Sequence, residues 1–144
     1  MAYESTAVPV AKSQESIRKL IMQNGGNAIA FVSQVQPATE GFEAQVKIGG
    51  VIYRVRVTAS VKTARTPKEA EQNVRRIWRV LFYHMKSVYE SSKSGVMEFR
   101  ELMLPYIVMS DGQTIGDHIV PRLEQVVSGK PERLLGPAPE PKQG

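Results

Sequence analysis

The feature that most constrains how this chain folds is a pair of alternating stretches, "GFEAQVKI" and "VIYRVRV", joined by Gly49 and Gly50. Glycine adopts the positive φ angles of a tight two-residue turn at little cost, which predicts a β-hairpin with Ile48 opposite Val51. Because side chains alternate along each strand, one face of this hairpin is apolar. The pairs predicted on the apolar face are Ile48 with Val51, Val46 with Tyr53, Ala44 with Val55, and Phe42 with Val57.

The other face of the hairpin is polar and mostly basic. The same register pairs Lys47 with Ile52, Gln45 with Arg54, and Glu43 with Arg56. One face is therefore expected to cover a core, while the other presents Lys47, Arg54 and Arg56 outward.

The clearest helix begins after the hairpin. Thr66 is expected to accept a hydrogen bond from the first turn and Glu69 to reach back, with Pro67 in the first helical position. The helix is predicted to run to Gly95, which makes it roughly 40 Å long at about 1.5 Å per residue. A helix longer than a small domain is wide is expected to pack against a second copy, so we expect a homo-oligomer. The predicted buried stripe contains Ala70, Val74, Ile77, Trp78, Leu81, Met85 and Val88.

Shorter elements precede the hairpin. Ser13 is predicted to cap a helix that stops at Gly25 and Gly26. Residues 27–36 then alternate as a strand that Pro37 closes.

The C-terminal third is predicted to contain two further helices. The first ends at Pro105, and an extended stretch then runs into a turn at Asp111. Thr114 is expected to cap the last helix, which Pro121 kinks. The residues predicted to point inward from that helix are Ile115, Ile119, Leu123 and Val126.

Together these elements predict an α+β fold. It consists of a small antiparallel sheet of about three strands, including the Gly-Gly hairpin, packed on one long and several short helices. Residues 13–128 are expected to form a single domain, with a flexible N-terminus over residues 1–12. Residues 129–144 are rich in proline and are expected to form a disordered tail.

The positive charge of the chain is concentrated in one region. Residues 47–93 contain 11 basic and three acidic side chains, whereas the remainder contains eight basic and 11 acidic ones. This asymmetry favours a polyanionic partner, although an ordinary solvated helix face would also account for it.

The sequence carries no recognisable catalytic constellation. It contains no cysteine, and both of its histidines, His84 and His118, are expected to be structural. No phosphate-binding loop or nucleophile elbow is present, so we expect neither an enzyme nor a cofactor or metal site. The N-terminus does not read as a signal peptide, and no apolar run approaches the roughly 20 residues of a membrane span. An intracellular protein without a membrane partner is therefore expected.

A distinctive set of residues lies between positions 76 and 120: Trp78, Arg79, Leu81, Lys86, Glu90, Ser94, Gly95, Phe99, Ile107, Val108, Asp111, Gly112, Thr114 and Gly116. With this pattern the segment resembles an uncharacterised protein family encoded by bacteriophages and prophages. The resemblance implies a phage origin and the cytoplasm of an infected bacterial host, and it carries no established activity. The chain differs from the family in the more polar stretch "HMKSVYESS" and the more basic connection "VTASVKTAR".

Charge and origin together predict a nucleic-acid-binding protein, with single-stranded DNA in replication or recombination as the favoured partner. Lysine and arginine neutralise phosphates with release of counterions. Phe42, Tyr53 and Trp78 are predicted to face the core, so contacts to the backbone are favoured over stacking on bases. The predicted nucleic-acid-binding residues are Lys47, Arg54, Arg56, Lys62, Arg65, Arg75, Arg76 and Arg79.

Two alternatives remain open at the level of sequence. One is a phage anti-defence protein that binds a host factor or sequesters a phosphate-rich small nucleotide, which requires a deep basic pocket. The other is an oligomeric structural or accessory protein. On the nucleic-acid interpretation, Arg54→Glu combined with Arg56→Glu is expected to abolish binding while the protein stays folded.

Overall fold

A computed structural model describes residues 6–129 of the 144-residue chain. Its three antiparallel strands and one long helix confirm the predicted α+β class. The predicted tail beyond residue 129, and residues 1–5 of the predicted flexible N-terminus, lie outside the described residues. The elements are α1 (Val10–Gln23), β1 (Gly26–Val35), β2 (Ala38–Ile48), β3 (Val51–Ser60), α2 (Pro67–Lys93), α3 (Phe99–Met103), α4 (Ile115–Ile119) and α5 (Leu123–Val127), with 3-10 turns at Leu104–Tyr106 and Val120–Arg122.

The strands form an antiparallel meander in the order β1-β2-β3. Gly49 and Gly50 make the turn between β2 and β3 at φ angles of 57° and 82°, a region that glycine occupies without strain. All the predicted hairpin pairs are present, from Ile48 with Val51 to Phe42 with Val57. The register therefore gives the sheet one face that is buried under helices and one outer face.

Helices α1 and α2 cover the face of the sheet that carries Phe42. The Trp78 ring of α2 meets Phe31 of β1 edge to face, with ring centroids 5.5 Å apart. The core between sheet and helices is continuous and almost entirely apolar. Its buried members include Ile17, Ile21, Phe42, Val46, Val55, Val57, Ile77, Trp78, Leu81 and Met85.

The bounds of α2 agree with the prediction, whereas the start of α1 does not. Thr66 accepts a hydrogen bond from the Glu69 amide at 3.1 Å, and Gly95 follows the helix at a φ of 78°. Ser13, predicted to cap α1, instead lies buried inside that helix. Proline fixes its own φ near a value that suits entry into a helix, so Pro9 is the N-cap and residues 10–12 are helical.

The chain after α3 crosses the outer edge of β3, and we call residues 107–118 the cover segment. The Val108 amide donates to the Arg54 carbonyl at 2.8 Å, and Ile107 bridges Val55. Thr114 and Asp117 then form a reciprocal capping box at the start of α4. The predicted extended stretch, turn and cap are thus present, and they occupy one edge of the sheet.

The last helix differs from the prediction in the face that it buries. Leu123 and Val126, predicted to point inward, are 47% and 40% exposed, while His118 and Arg122 are buried. Pro121 interrupts the α-helical hydrogen bonds, and the 3-10 turn at Val120–Arg122 has about three residues per turn. The change of period rotates the following residues out of the expected register.

Candidate nucleic-acid interface

One side of α2 carries a row of cationic and aromatic residues that faces away from the sheet. We call this row the α2 ridge; its members are Arg75, Arg76, Arg79, Tyr83 and Lys86. An α-helix repeats every 3.6 residues, so these positions lie opposite the buried stripe of the same helix. The sequence contains no acidic residue between Glu71 and Glu90. The ridge is therefore a local excess of positive charge.

Arg79 stands at the centre of the α2 ridge and packs on aromatic rings. Its guanidinium carbon lies 4.8 Å from the ring centroid of Phe82 and 5.4 Å from that of Tyr83. Nε and Nη2 of Arg79 are buried and have no hydrogen-bond partner within residues 6–129. The Lys86 ammonium lies 5.8 Å from the Tyr83 centroid, so Tyr83 is placed between two cations. Such cation–π contacts hold the cations in place without neutralising their charge.

The members of the α2 ridge differ in how far their charge is compensated. Arg75 donates to Glu71 at 3.2 Å and to Gln72 at 3.0 Å, so it is compensated locally. Arg76, Arg79 and Lys86 form no ion pair with a carboxyl group of the described residues. The uncompensated charge thus runs from Arg76 to Lys86.

The predicted hairpin residues form a second group on the outer face of the sheet, which we call the sheet-face group: Lys47, Arg54 and Arg56. Lys47 and Arg54 are exposed. Arg56 is half-buried, and it is engaged within the protein: its Nε contacts Glu43 at 2.6 Å and its Nη1 donates to the Gly112 carbonyl at 3.0 Å. Arg56 therefore fastens the cover segment to the sheet, and Lys47 and Arg54 remain as the accessible cations of this group.

The sheet separates the two basic groups. Trp78 contacts Phe31 on the helix-covered face, whereas Arg54 and Arg56 project from the other face. The eight predicted residues consequently do not form one continuous stripe. Lys62 and Arg65 are exposed in the connection between β3 and α2, at the end of the domain where the chain passes from one layer to the other.

Two clefts of the described part of the chain carry little uncompensated positive charge. A cleft of about 460 Å³ beside Arg56 also contains Asp117, and Glu43 already neutralises its arginine. A second cleft of about 530 Å³ at the end of the hairpin contains Arg100 together with Glu98, which lie 3.7 Å apart. Neither of these two clefts has the cationic lining that a trap for a phosphate-rich nucleotide requires. A smaller cleft of about 190 Å³ is lined by Lys47 and Lys93 without a carboxylate.

The two histidines have structural surroundings. The His118 ring is fully buried, and its Nε2 lies 2.9 Å from Oδ2 of Asp111. His84 packs against the ring of Tyr106 with centroids 5.8 Å apart. Between residues 6 and 129 there is no cluster of acidic and histidine side chains suited to a metal ion. The contact between Asp111 and His118 was not foreseen, because a turn and a capping box separate the two residues.

The sequence predicted Tyr83 among the basic residues of this helix face, whereas the packing of Arg79 on Phe82 was not foreseen, although a signal for it exists. Phe82 and Tyr83 lie three and four residues after Arg79, and Lys86 lies three residues after Tyr83. Residues at these spacings are neighbours on a helix surface. Of the predicted nucleic-acid-binding residues, Lys47, Arg54, Lys62 and Arg65 are exposed and Arg76 is half-buried.

No protein-family model, curated protein or solved structure matches the chain. None of the helices between residues 6 and 129 combines the length and apolar character needed to cross a lipid bilayer.

Proposed function

We propose that this chain is a phage-encoded nucleic-acid-binding protein that holds single-stranded DNA along the α2 ridge during replication or recombination in the infected bacterial cytoplasm. The observation that carries the proposal is the row from Arg76 to Lys86, where three cations that have no carboxylate partner between residues 6 and 129 accompany the exposed ring of Tyr83. This combination is the one that tracks a phosphate backbone and stacks on unpaired bases.

The dimensions of the α2 ridge suit a short stretch of nucleic acid. The ten steps along the helix from Arg76 to Lys86 span about 15 Å at about 1.5 Å per residue. With one phosphate per roughly 3.4 Å along a strand, that length corresponds to about four phosphates. Tyr83 is 39% exposed in this row, and an unpaired base that stacks on its ring displaces a cation that now lies over it.

The remaining predicted residues have a supporting part in this proposal. Lys62 and Arg65 precede the first turn of α2 and extend the positive charge beyond the N-terminal end of that helix. Lys47 and Arg54 lie on the other side of the sheet and contribute long-range attraction rather than direct contacts to the same strand. The double variant Arg54→Glu with Arg56→Glu is a poor test of nucleic-acid binding, because Arg56→Glu also breaks the contacts of Arg56 with Glu43 and Gly112.

The experiment is a fluorescence-anisotropy titration with labelled single- and double-stranded oligonucleotides at low and high salt. Arg76→Glu combined with Arg79→Glu is expected to weaken single-strand binding at least tenfold at low salt. Each lost phosphate contact on a single strand also reduces the slope of log affinity against log salt by about 0.7. Circular dichroism confirms that each variant is folded, and Arg76→Gln with Arg79→Gln repeats the test without reversing charge.

The matched control is Lys47→Glu combined with Arg54→Glu, which makes the same change in net charge on the other side of the sheet. We expect it to weaken binding less than threefold, because it alters only the long-range field. Tyr83→Ala is expected to weaken binding to single strands by about 1 kcal/mol or more and to leave duplex binding nearly unchanged. A greater loss in the sheet-face variant would overturn the α2 ridge as the contact surface, and no binding at low salt would overturn the function itself.

A further inference from the structure

β1 is an open edge of the sheet. It pairs only with β2 among the described strands, and no backbone hydrogen bond from Asn27–Val35 to any other described segment is present. The strand is ten residues long and contains neither a charged residue nor a proline. Soluble proteins usually protect an edge strand with charge, proline, a short length or a covering segment. The register irregularity near Gly26 affects only the start of β1, so most of this edge lacks those protections.

The opposite edge is treated differently. The cover segment bonds to β3 through the Val108 amide and Arg54 carbonyl, and Arg56 ties the turn at Gly112 to the sheet. Within residues 6–129 the fold therefore covers the middle of one edge of its sheet and leaves the other edge uncovered.

We propose that β1 pairs in antiparallel orientation with β1 of a second copy about a two-fold axis, forming a continuous six-stranded sheet. A two-fold axis pairs the strand with the identical strand of the other copy. Any charged residue near the axis would therefore lie opposite, or next to, the same charge on that copy. The sequence of β1, "GNAIAFVSQV", is neutral throughout and meets this requirement. Ala28 and Ala30 are exposed small residues that permit close approach, and Val35 is 85% exposed and loses that exposure on pairing.

Charge also argues against the other surfaces as the main contact between copies. The α2 ridge and the sheet-face group are both positively charged, so two copies repel each other there. The neutral edge is where that repulsion is weakest. This inference rests on β1 and is independent of the proposed nucleic-acid binding.

The pairing has a defined consequence for the whole assembly. A two-fold axis perpendicular to the sheet keeps the helices of both copies on the same side. Both α2 ridges then face the same direction, and one long strand of nucleic acid can engage two sites at once.

The first test is molar mass measured by sedimentation velocity over a hundredfold range of concentration. The wild-type chain is expected to be dimeric at the upper end, and Ala30→Lys is expected to be a folded monomer because two copies of the lysine would meet across the axis. Ser60→Lys places the same charge at an exposed position of β3 and is expected to leave the dimer intact. A wild-type monomer at every concentration would overturn the proposal. The open edge of β1 would then be expected to pair with an extended segment of another protein.

The second test uses the absence of cysteine from the chain. Single cysteines are introduced at Ala28, Ala30, Val32 and Gln34, which share the outer face of β1. A disulfide requires Cα atoms within about 7 Å, so only the positions nearest the axis are expected to form one under mild oxidation. Thr58→Cys on β3 serves as the control and is expected to stay monomeric on a denaturing gel. A dimer that survives Ala30→Lys, or that forms disulfides equally at all positions, would contradict pairing through β1.

Discussion

Glu40 is buried beneath α2, which is an uncommon location for a carboxyl group. It accepts hydrogen bonds from Nε1 of Trp78, at 2.9 Å, and from the hydroxyl of Ser33. Two donors compensate for its removal from water. The periodicity of α2 was sufficient to predict that Trp78 is buried. It did not identify the partner, although alternation along β2 places Glu40 on the same face as Phe42.

Trp78→Phe is expected to lower the free energy of unfolding by about 1–3 kcal/mol, since it leaves a buried oxygen of Glu40 without its donor. Urea unfolding followed by circular dichroism is the appropriate measurement, because Trp78 is the sole tryptophan and its fluorescence is lost in the variant. Val80→Ala, at a position of α2 that is 42% exposed, is the control and should change stability by no more than about 0.5 kcal/mol. Equal stabilities of Trp78→Phe and the wild type would show that the indole donor contributes nothing.

Individual elements were predictable to different extents, depending on how local their determinants are. The register of the hairpin follows from Gly49 and Gly50 and from alternation, and all of its pairs were foreseen. The bounds of α2 follow from Thr66 and Gly95 in the same way. The predicted buried face of the last helix was wrong because Pro121 introduces a 3-10 turn, and the proline alone does not specify which residues that turn brings inward. Local chemistry therefore decides where elements begin and end, and contacts between elements decide which faces they bury.

The cover segment provides a prediction about pH. The backbone amide of Gln113 donates to Asp111 at 2.9 Å and, together with the contact to His118, holds the pKa of Asp111 below its ordinary value of 3.8. A depressed pKa in the folded state means that the ionised carboxylate favours folding. This contribution is present above about pH 4 and is lost as the pH falls through the folded-state pKa of Asp111.

Asp111→Asn is therefore expected to melt at a lower temperature than the wild type near neutral pH, with a difference that shrinks as the pH falls below about 4. Thermal melts recorded between about pH 2 and 7 measure this difference. Glu124→Gln removes the same charge from an exposed position and is the matched control. If the deficit of Asp111→Asn were the same at both ends of the range, the carboxylate would not be the source of the effect.

The whole molecule separates its basic residues into two groups that the linear sequence had joined. The charge excess between residues 47 and 93 was correctly located along the chain. Net charge along a chain carries no information about which side of a sheet each residue faces. The sheet divides Arg54 from Arg76, and only the packing of α2 on β1 and β2 reveals that division. The nucleic-acid interpretation accordingly moves from the hairpin to the α2 ridge.

Amide hydrogen exchange provides a prediction at this scale. β2 is bonded on both sides, so its amides are expected to exchange the most slowly of the three strands. In the proposed dimer the outward amides of β1 are also protected, and in Ala30→Lys they should exchange at least tenfold faster while those of β2 change little. Outward β1 amides that exchange as rapidly in the concentrated wild-type protein as in Ala30→Lys would contradict the paired edge.

The covered edge of β3 limits how far any pairing between copies can extend. A sheet with two open edges can add subunits at both ends and grow into a filament, whereas in this sheet the middle of the β3 edge is already bonded to Ile107 and Val108. When β1 of one copy meets β1 of another, the two remaining ends are both occupied by cover segments. On the proposed pairing, we therefore expect the assembly to stop at two subunits. In such a dimer the uncharged ten-residue strand, which would otherwise be an aggregation hazard, pairs with one other copy and offers no further edge for pairing.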